Sequence, residues 1–329
     1  MSTLGVSFTD AALESRVAAG VAEVEVQLSA AVDSPETFVA EAAAHLLNAG
    51  GKRFRPLLVM LSAEFGDPTH PDVARSAVVV ELTHLATLYH DDVMDEAAMR
   101  RGAPSANSRW DNSVAILVGD YLFAQASDLV SDLGPDAVRI QARTFSRLVR
   151  GQIRETIGPA DGEDALGHYL GVVADKTGSL IATAARFGAM MSGAPDDVQD
   201  TLTEFGERIG AAFQLADDII DIASETGDSG KTPGTDLREG VPTLPTLIAM
   251  RSTDDASARL RSLLSKPLTD DAEHAEALTL LRSHPSLVEA RSYVQAEADA
   301  ASVLLAKLPE SPARAALQAL CDTVVTRLG

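Results

Sequence analysis

Asp-Asp-x-x-Asp occurs three times in this chain, as Asp91/Asp92/Asp95, Asp196/Asp197/Asp200 and Asp217/Asp218/Asp221. In an acidic protein such runs ordinarily mark a solvated helix face, so context has to separate them. Asp196, Asp197 and Asp200 follow Gly193-Ala194-Pro195 and fall in the first turns of a new helix. Negative charge there meets the positive end of the helix dipole, which explains this run without a function. The other two runs close helices instead. AVVVELTHLATLYH, before Asp91, is apolar nearly all round, as in a buried helix, and ERIGAAFQLA precedes Asp217. Carboxylates clustered at a helix C-terminus oppose the dipole and one another, so both runs call for a compensating cation. Asp91 and Asp95 are four residues apart and share a face, as do Asp217 and Asp221. Hard oxygen ligands that leave coordination positions open suit Mg²⁺ bridging to phosphates, and the sequence has no EF-hand loop to favour Ca²⁺.

Basic residues stand beside these acids. Arg100-Arg101 follows the first run, Lys231 follows the last, and Gly51-Lys52-Arg53-Phe54-Arg55-Pro56 adds three more positive charges. The 329 residues hold 27 Lys+Arg against 48 Asp+Glu, a net charge of −21, so clustered cations imply an anionic ligand. Arg forks and Lys point charges suit phosphate oxygens. The same acidity argues against nucleic acid and against a polybasic hold on anionic lipid. The single cysteine, Cys321, excludes an intrachain disulfide and a Cys-based zinc site, and accords with a cytoplasmic protein. MSTLGVSFTDAALESR lacks the basic and apolar regions of a signal peptide. No run of about 18 uninterrupted apolar residues occurs, so no membrane span is expected.

The elements that must carry these residues are helical almost throughout. Apolar spacing predicts helices over 9–32, 36–49, 53–65, 72–95, 105–131, 136–157, 164–192, 197–224, 243–251, 256–265, 271–282, 286–307 and 312–327. Short alternating strands are not evident. Ser34-Pro35 and Ser311-Pro312 read as helix starts, and Asp270 with Glu273 as a capping box. No linker divides the chain, so residues 1–329 are read as one large all-α domain. Residues 225–240 form the most conspicuous loop.

The order and spacing of GGKRFRP (50–56), HLATLYHDDVMDEAAMRRGAPSAN (84–107), VGDYL (118–122), KTGSL (176–180), FQLADDIIDI (213–222) and GKTPGTDLREG (230–240) resemble the trans-polyprenyl diphosphate synthase family. The resemblance runs from about residue 45 to 250 and implies a single helical bundle around a central cavity, with two Asp motifs facing each other at its mouth. It implies Mg²⁺-dependent head-to-tail condensation of isopentenyl diphosphate with an allylic diphosphate, with three ions per site, in a homodimer. By resemblance, Asp91 and Asp95 ligate two ions and Asp217 a third, while Asp92, Asp218 and Asp221 act directly, through water or as support. Arg100, Lys176 and Lys231 would hold the allylic diphosphate. Lys52, Arg55, His84 and Arg101 would hold isopentenyl diphosphate. Gln214 and Thr177 would place the allylic group.

His84 lies seven residues before Asp91, two turns along nearly the same face, which supports a ligand over a core histidine. His90 packs or orients a carboxylate. Trp110, His168, Cys321 and Met190-Met191 read as structural. Val241 stands where many relatives carry Lys, which removes one diphosphate contact that Lys231 and Arg238 could cover. Short-chain members block the product path with a bulky aromatic near one turn before the first Asp. Here Ala86 and Thr87 hold those positions, with Thr83 a turn deeper. Small residues favour a long product, as for a quinone side chain, with geranylgeranyl diphosphate as the alternative. A terpene cyclase would need no second diphosphate site. A regulatory subunit would have lost carboxylates or cations, whereas a catalytic subunit of a heteromeric synthase would keep them.

Overall fold

The computed structural model describes residues 5–224 and 233–328. Its helices are α1 (Ala11–Ala31), α2 (Thr37–Asn48), α3 (Phe54–Ala63), α4 (Pro71–Met94), α5 (Ala106–Arg109), α6 (Asn112–Ser131), α7 (Pro135–Ile157), α8 (Ala165–Val173), α9 (Ser179–Met191), α10 (Asp196–Ala223), α11 (Thr235–Glu239), α12 (Leu244–Met250), α13 (Ala258–Leu264), α14 (Asp271–Ser283), α15 (Pro285–Leu305) and α16 (Pro312–Thr326). The all-α expectation therefore holds, with local departures. A two-stranded hairpin, β1 (Met99–Arg100) and β2 (Ala103–Pro104), follows α4. The helix expected over 105–131 is broken at Trp110-Asp111, because the Asp111 carboxylate accepts from Val114 N–H at 2.8 Å and starts α6. A π-helical turn, Ala174–Gly178, interrupts the helix expected over 164–192. Helix α11 forms inside the expected loop. The start at Ser34 is also displaced, since Glu36 holds the N-cap place of α2. Ser311 and Asp270 do cap, accepting from Arg314 N–H at 3.1 Å and Glu273 N–H at 2.9 Å. Glu273 turns its carboxylate to Lys266, so only half of the box is made.

The chain divides into two compact units. The first takes the chain up to Phe145 together with Leu180–Gly206 and Leu304–Ala319. Its core helix is α4, where Val78, Val79, Val80, Leu82, Leu85, Ala86 and Tyr89 are fully buried. Each such Val or Leu contributes about 2 kcal/mol relative to exposure. Helix α4 packs on α6, α3 and α1. Gly188 lets α9 approach α3, since a Cβ there would meet the Val59 carbonyl oxygen at 2.2 Å. Among the described residues α6 is the one helix long and apolar enough to cross a membrane. Its Ala115, Val118, Leu122 and Ala126 are buried at helical spacing, while Asp120 and Asp128 are exposed, which accounts for it as one partner of a packed pair.

The second unit takes Ser146–Ser179, Glu207–Val303 and the chain from Leu320. Ile209, Ala212, Leu215, Ala216, Ile219 and Ile222 form the buried stripe of α10, and α12, α13 and α14 pack in sequence.

Candidate active site

In the first unit the acids end α4 and the hairpin returns two arginines. Glu96 and Arg101 take left-handed backbone conformations, φ 48° and 53°, and Gly102 follows at 76°. These reversals bring Arg100 back over the helix end. Its Nε donates to Asp92 Oδ1 at 2.5 Å and its Nη2 lies 3.7 Å from Asp95 Oδ2. Asp92 is fully buried, and burial raises its pKa against the pull of Arg100. Its Oδ2 is buried with no hydrogen-bond partner. Arg101 Nη1 donates to the Leu46 carbonyl at 2.9 Å and also to that of Gly50.

The GKRFRP segment supplies the rest of the basic cluster. Arg53, at φ 45°, donates to Glu25, to Glu81 Oε1 at 3.3 Å and to the Leu47 carbonyl at 3.1 Å. It is bound into the fold, while Lys52 is exposed beside it. Arg55 keeps a buried Nε without a partner, and burial pulls its pKa down to about 10, where it is still charged at neutral pH. His84 is held well below the usual imidazole range by burial and then by Arg55, Arg101, Arg100 and Arg53. It is therefore a neutral donor at pH 7. Glu81, also buried and with its Oε2 unpartnered, is the counter-charge for Arg53, Arg55 and Arg101. Sequence reading missed Glu81, although it stands three residues before His84. Thr83 and Ala86 are buried on α4 and Thr87 half-buried; Thr83 Oγ1 accepts from Gln141 Nε2 at 2.5 Å.

In the second unit the acids end α10. Asp217 Oδ1 accepts from Arg327 Nη2 at 2.8 Å. Asp218 is buried, accepts from Tyr169 Oη and accepts from Gln214 Nε2 at 3.0 Å. Burial pushes its pKa up to about 6 against those hydrogen bonds. Asp221 is half-buried, and its carbonyl accepts from Gly234 N–H at 2.9 Å. Thr177 Oγ1 donates to Gln214 Oε1 at 3.1 Å, so two sequence-predicted residues meet.

The π turn sets Lys176 and Thr177. Asp175 anchors it by accepting from Arg147 Nε at 3.1 Å and Arg150 Nε at 3.0 Å. A Cβ on Gly151 would strike Lys176 N at 2.7 Å, so glycine admits the close approach of α7. Lys176 Nζ donates to Glu155. Lys231 lies outside the described residues. Arg238 pairs with Asp271 at 2.8 Å. Asp175, Tyr169 and Arg327 were not signalled by the sequence motifs, and Arg327 is 110 positions from its partner.

Asp196 and Asp197 fall in the first turn of α10, where they meet the positive end of the helix dipole, and Asp200 pairs with Arg186 at 2.9 Å. His90 Nε2 lies 3.1 Å from the Ile116 carbonyl oxygen and 3.5 Å from Asp120. His168 bridges Glu163 and the Arg154 carbonyl.

Among the described residues no three Asp, Glu, His or Cys side chains gather closely enough to hold a cation alone. Mg²⁺ ordinarily takes one or two carboxylates and completes its shell with water and phosphate oxygens. The carboxylates at both helix ends, with the unpartnered Asp92 Oδ2, fit that mode.

The sequence matches the polyprenyl synthetase family over residues 36–281. It is 53% identical, over 99% of this chain and 97% of the relative, to a nonaprenyl diphosphate synthase of Mycobacterium tuberculosis. A geranylgeranyl pyrophosphate synthase of Corynebacterium glutamicum, solved with calcium and isoprenyl diphosphate, superposes with a TM-score of 0.89 at 48% identity, covering 98% of this chain and 100% of that one. A decaprenyl diphosphate synthase of Rhodobacter capsulatus superposes at 0.87 with 34% identity, covering 96% and 98%.

Proposed function

This chain belongs to the polyprenyl synthetase family, and from that premise we propose that it condenses isopentenyl diphosphate with an allylic diphosphate, head to tail, to make a long all-trans polyprenyl diphosphate. The observation that carries this reading is a half-buried basic cluster beside the acidic end of α4, in a chain of net charge −21 that has a second such acidic helix end on α10. Three divalent cations, Mg²⁺ in the cell, would neutralise the charge that develops on the leaving diphosphate.

Asp91, Asp95 and Asp217 are the principal metal ligands, with Asp92, Asp218 and Asp221 in direct or supporting roles. Arg100, Lys176 and Lys231 would hold the allylic diphosphate. They orient its C–O bond for ionisation, and Thr177 and Gln214 place the allylic group. Lys52, Arg55, His84 and Arg101 hold isopentenyl diphosphate, with Glu81 fixing the arginines. The uncharged His84 donates a hydrogen bond to phosphate without titrating near neutral pH. The alkene adds to the allylic cation, forming one C–C bond, and the proton lost restores the double bond. The released diphosphate is the base, so none of the buried carboxylates need serve.

Small residues at Thr83, Ala86 and Thr87 support a long product, suited to a quinone side chain. The likeness to geranylgeranyl synthases keeps a C20 product as the second reading. Exposed apolar residues, Leu117 at 65% on α6 and Ile153 and Ile157 at 54% and 74% on α7, support a homodimer that covers them. A cytoplasmic setting suits the buried Cys321, whose thiol burial pushes up to about 12 and makes inert. The test is a product assay with radiolabelled isopentenyl diphosphate and each allylic starter, sizing the tails by chromatography. Condensation that needs Mg²⁺ or Mn²⁺ and stops in chelator is expected. Full turnover in excess chelator, or no condensation with any starter, would refute the reading.

A further inference from the structure

Arg327 has no part in the chemistry derived above, yet it sits on Asp217. Phe213 and Asp217 are four residues apart near the end of α10 and so share a face. The Arg327 guanidinium covers both. Its Nη2 donates to Asp217 Oδ1 at 2.8 Å, and its Cζ stands 5.0 Å from the Phe213 ring centroid. The backbone around it is anchored. Arg327 N–H donates to the Thr323 carbonyl at 3.1 Å, and Val324 and Leu328 on either side are buried. The side chains themselves lie at a rim, with 28% exposure for Arg327 and 42% for Asp217. A guanidinium here has room to leave the carboxylate while its aromatic shelf keeps it nearby.

We propose that Arg327 is a resident counter-cation that makes metal loading at Asp217 depend on diphosphate. This rests on Asp217 being a metal ligand. A metal ion and the Arg327 guanidinium compete for the charge of one carboxylate, so a metal arriving alone weakens the Arg327 pairing and leaves that cation without a full counter-charge. A metal arriving with diphosphate brings negative charge that takes over the pairing, since Arg forks suit phosphate oxygens. Arg327 is thus a positioning residue. It steadies Asp217 before substrate arrives and raises the order with which metal and diphosphate enter. The acids at the end of α4 have a different arrangement, where the paired arginine comes from the adjoining hairpin and its shortest bond is to the middle residue, Asp92.

The test is Mn²⁺ binding to the full chain by electron paramagnetic resonance and calorimetry, with and without inorganic diphosphate, for wild type, Arg327→Gln, Arg327→Lys and Asp217→Asn. Arg327→Gln should bind Mn²⁺ roughly three- to five-fold more tightly without diphosphate, the worth of one partly exposed ion pair, and show a correspondingly smaller gain when diphosphate is added. Arg327→Lys should lie near wild type. An Arg327 with only a structural role would give the opposite sign, because a loosened Asp217 binds metal less well. Unchanged or weaker Mn²⁺ binding in Arg327→Gln, with Asp217→Asn clearly impaired, overturns the proposal alone. Equal Mn²⁺ binding by wild type and Asp217→Asn overturns the ligand assignment beneath it. Should Arg327→Gln fail to fold by circular dichroism, Phe213→Leu removes the shelf instead. That variant should tighten Mn²⁺ binding in the same direction by a smaller factor, and no tightening counts against the proposal.

Discussion

Asp92 and Asp218 occupy the middle place in two Asp-Asp-x-x-Asp runs, each at the end of a buried helix, and the fold treats them differently. Both are buried and both have raised pKa values. Asp92 is opposed by a cation, Arg100, delivered eight residues later by a tight hairpin. Asp218 is held by two neutral donors, Tyr169 and Gln214, and its pKa reaches about 6. The cation of the second run goes to the outer residue, Asp217, and comes from Arg327. In both, desolvation outweighs the groups that favour the anion, which are the Arg100 charge at Asp92 and neutral hydrogen-bond donors at Asp218. The end of α4 is thus charge-balanced by its own neighbourhood in sequence, and the end of α10 by tertiary packing.

The largest effect should appear when either run loses an outer carboxylate. Asp91→Ala and Asp217→Ala should each lower kcat by orders of magnitude in the prenyl transfer assay, since each removes charge stabilisation from the leaving diphosphate. Near-normal turnover in one of them would show that the two runs are not equivalent in the chemistry.

Next is the product. Ala86→Phe puts a ring on the buried face of α4 five residues before Asp91. Active enzyme that releases mainly farnesyl or geranylgeranyl diphosphate is expected. Unchanged products with a lowered melting temperature would instead report overpacking, which costs roughly 1–3 kcal/mol.

The pH dependence of stability sharpens the contrast further. His84 has a folded pKa below its unfolded value near 6.5, so the stability it contributes is complete above that pH and is lost as pH falls. Asp218 has a folded pKa of about 6 against 3.8, so its contribution is complete below 3.8 and is lost as pH rises through about 6. In denaturant titrations of the metal-free protein, Asp218→Asn should gain on wild type between pH 4 and 7. His84→Gln should gain on wild type as pH drops below about 6.5. Parallel curves for either variant would contradict the burial that sets these values.

The smallest effect belongs to the run at the start of α10. Asp196→Ala should leave turnover nearly intact and cost at most about 1 kcal/mol in thermal denaturation. Kinetic damage equal to that of Asp91→Ala would remove the distinction between helix start and helix end.

Much of this site is legible in the sequence because the informative features are local. A Gly-Ala-Pro break marks Asp196 as a helix start, an apolar run marks Asp91 as a helix end, and the i, i+4 spacing sets the face each carboxylate occupies. The break at Trp110-Asp111 was missed because the hydrophobic period runs on through it and outweighed the cap preference of Asp111. The π turn was missed because the hydrophobic period runs on through it as well; Asp175 within it is paired with Arg147 and Arg150 from another helix.

The sequence by itself determined the helical class, the two acidic helix ends and the excess of cations beside them, since periodicity, charge and spacing act over a few residues. Only the tertiary structure decided how those groups are electrostatically set. It buried Glu81 beneath Arg53, kept His84 neutral among arginines, raised Asp218 and brought Arg327 to Asp217. Desolvation and ion pairing depend on what surrounds a group in space, and those neighbours come from segments that no local pattern links.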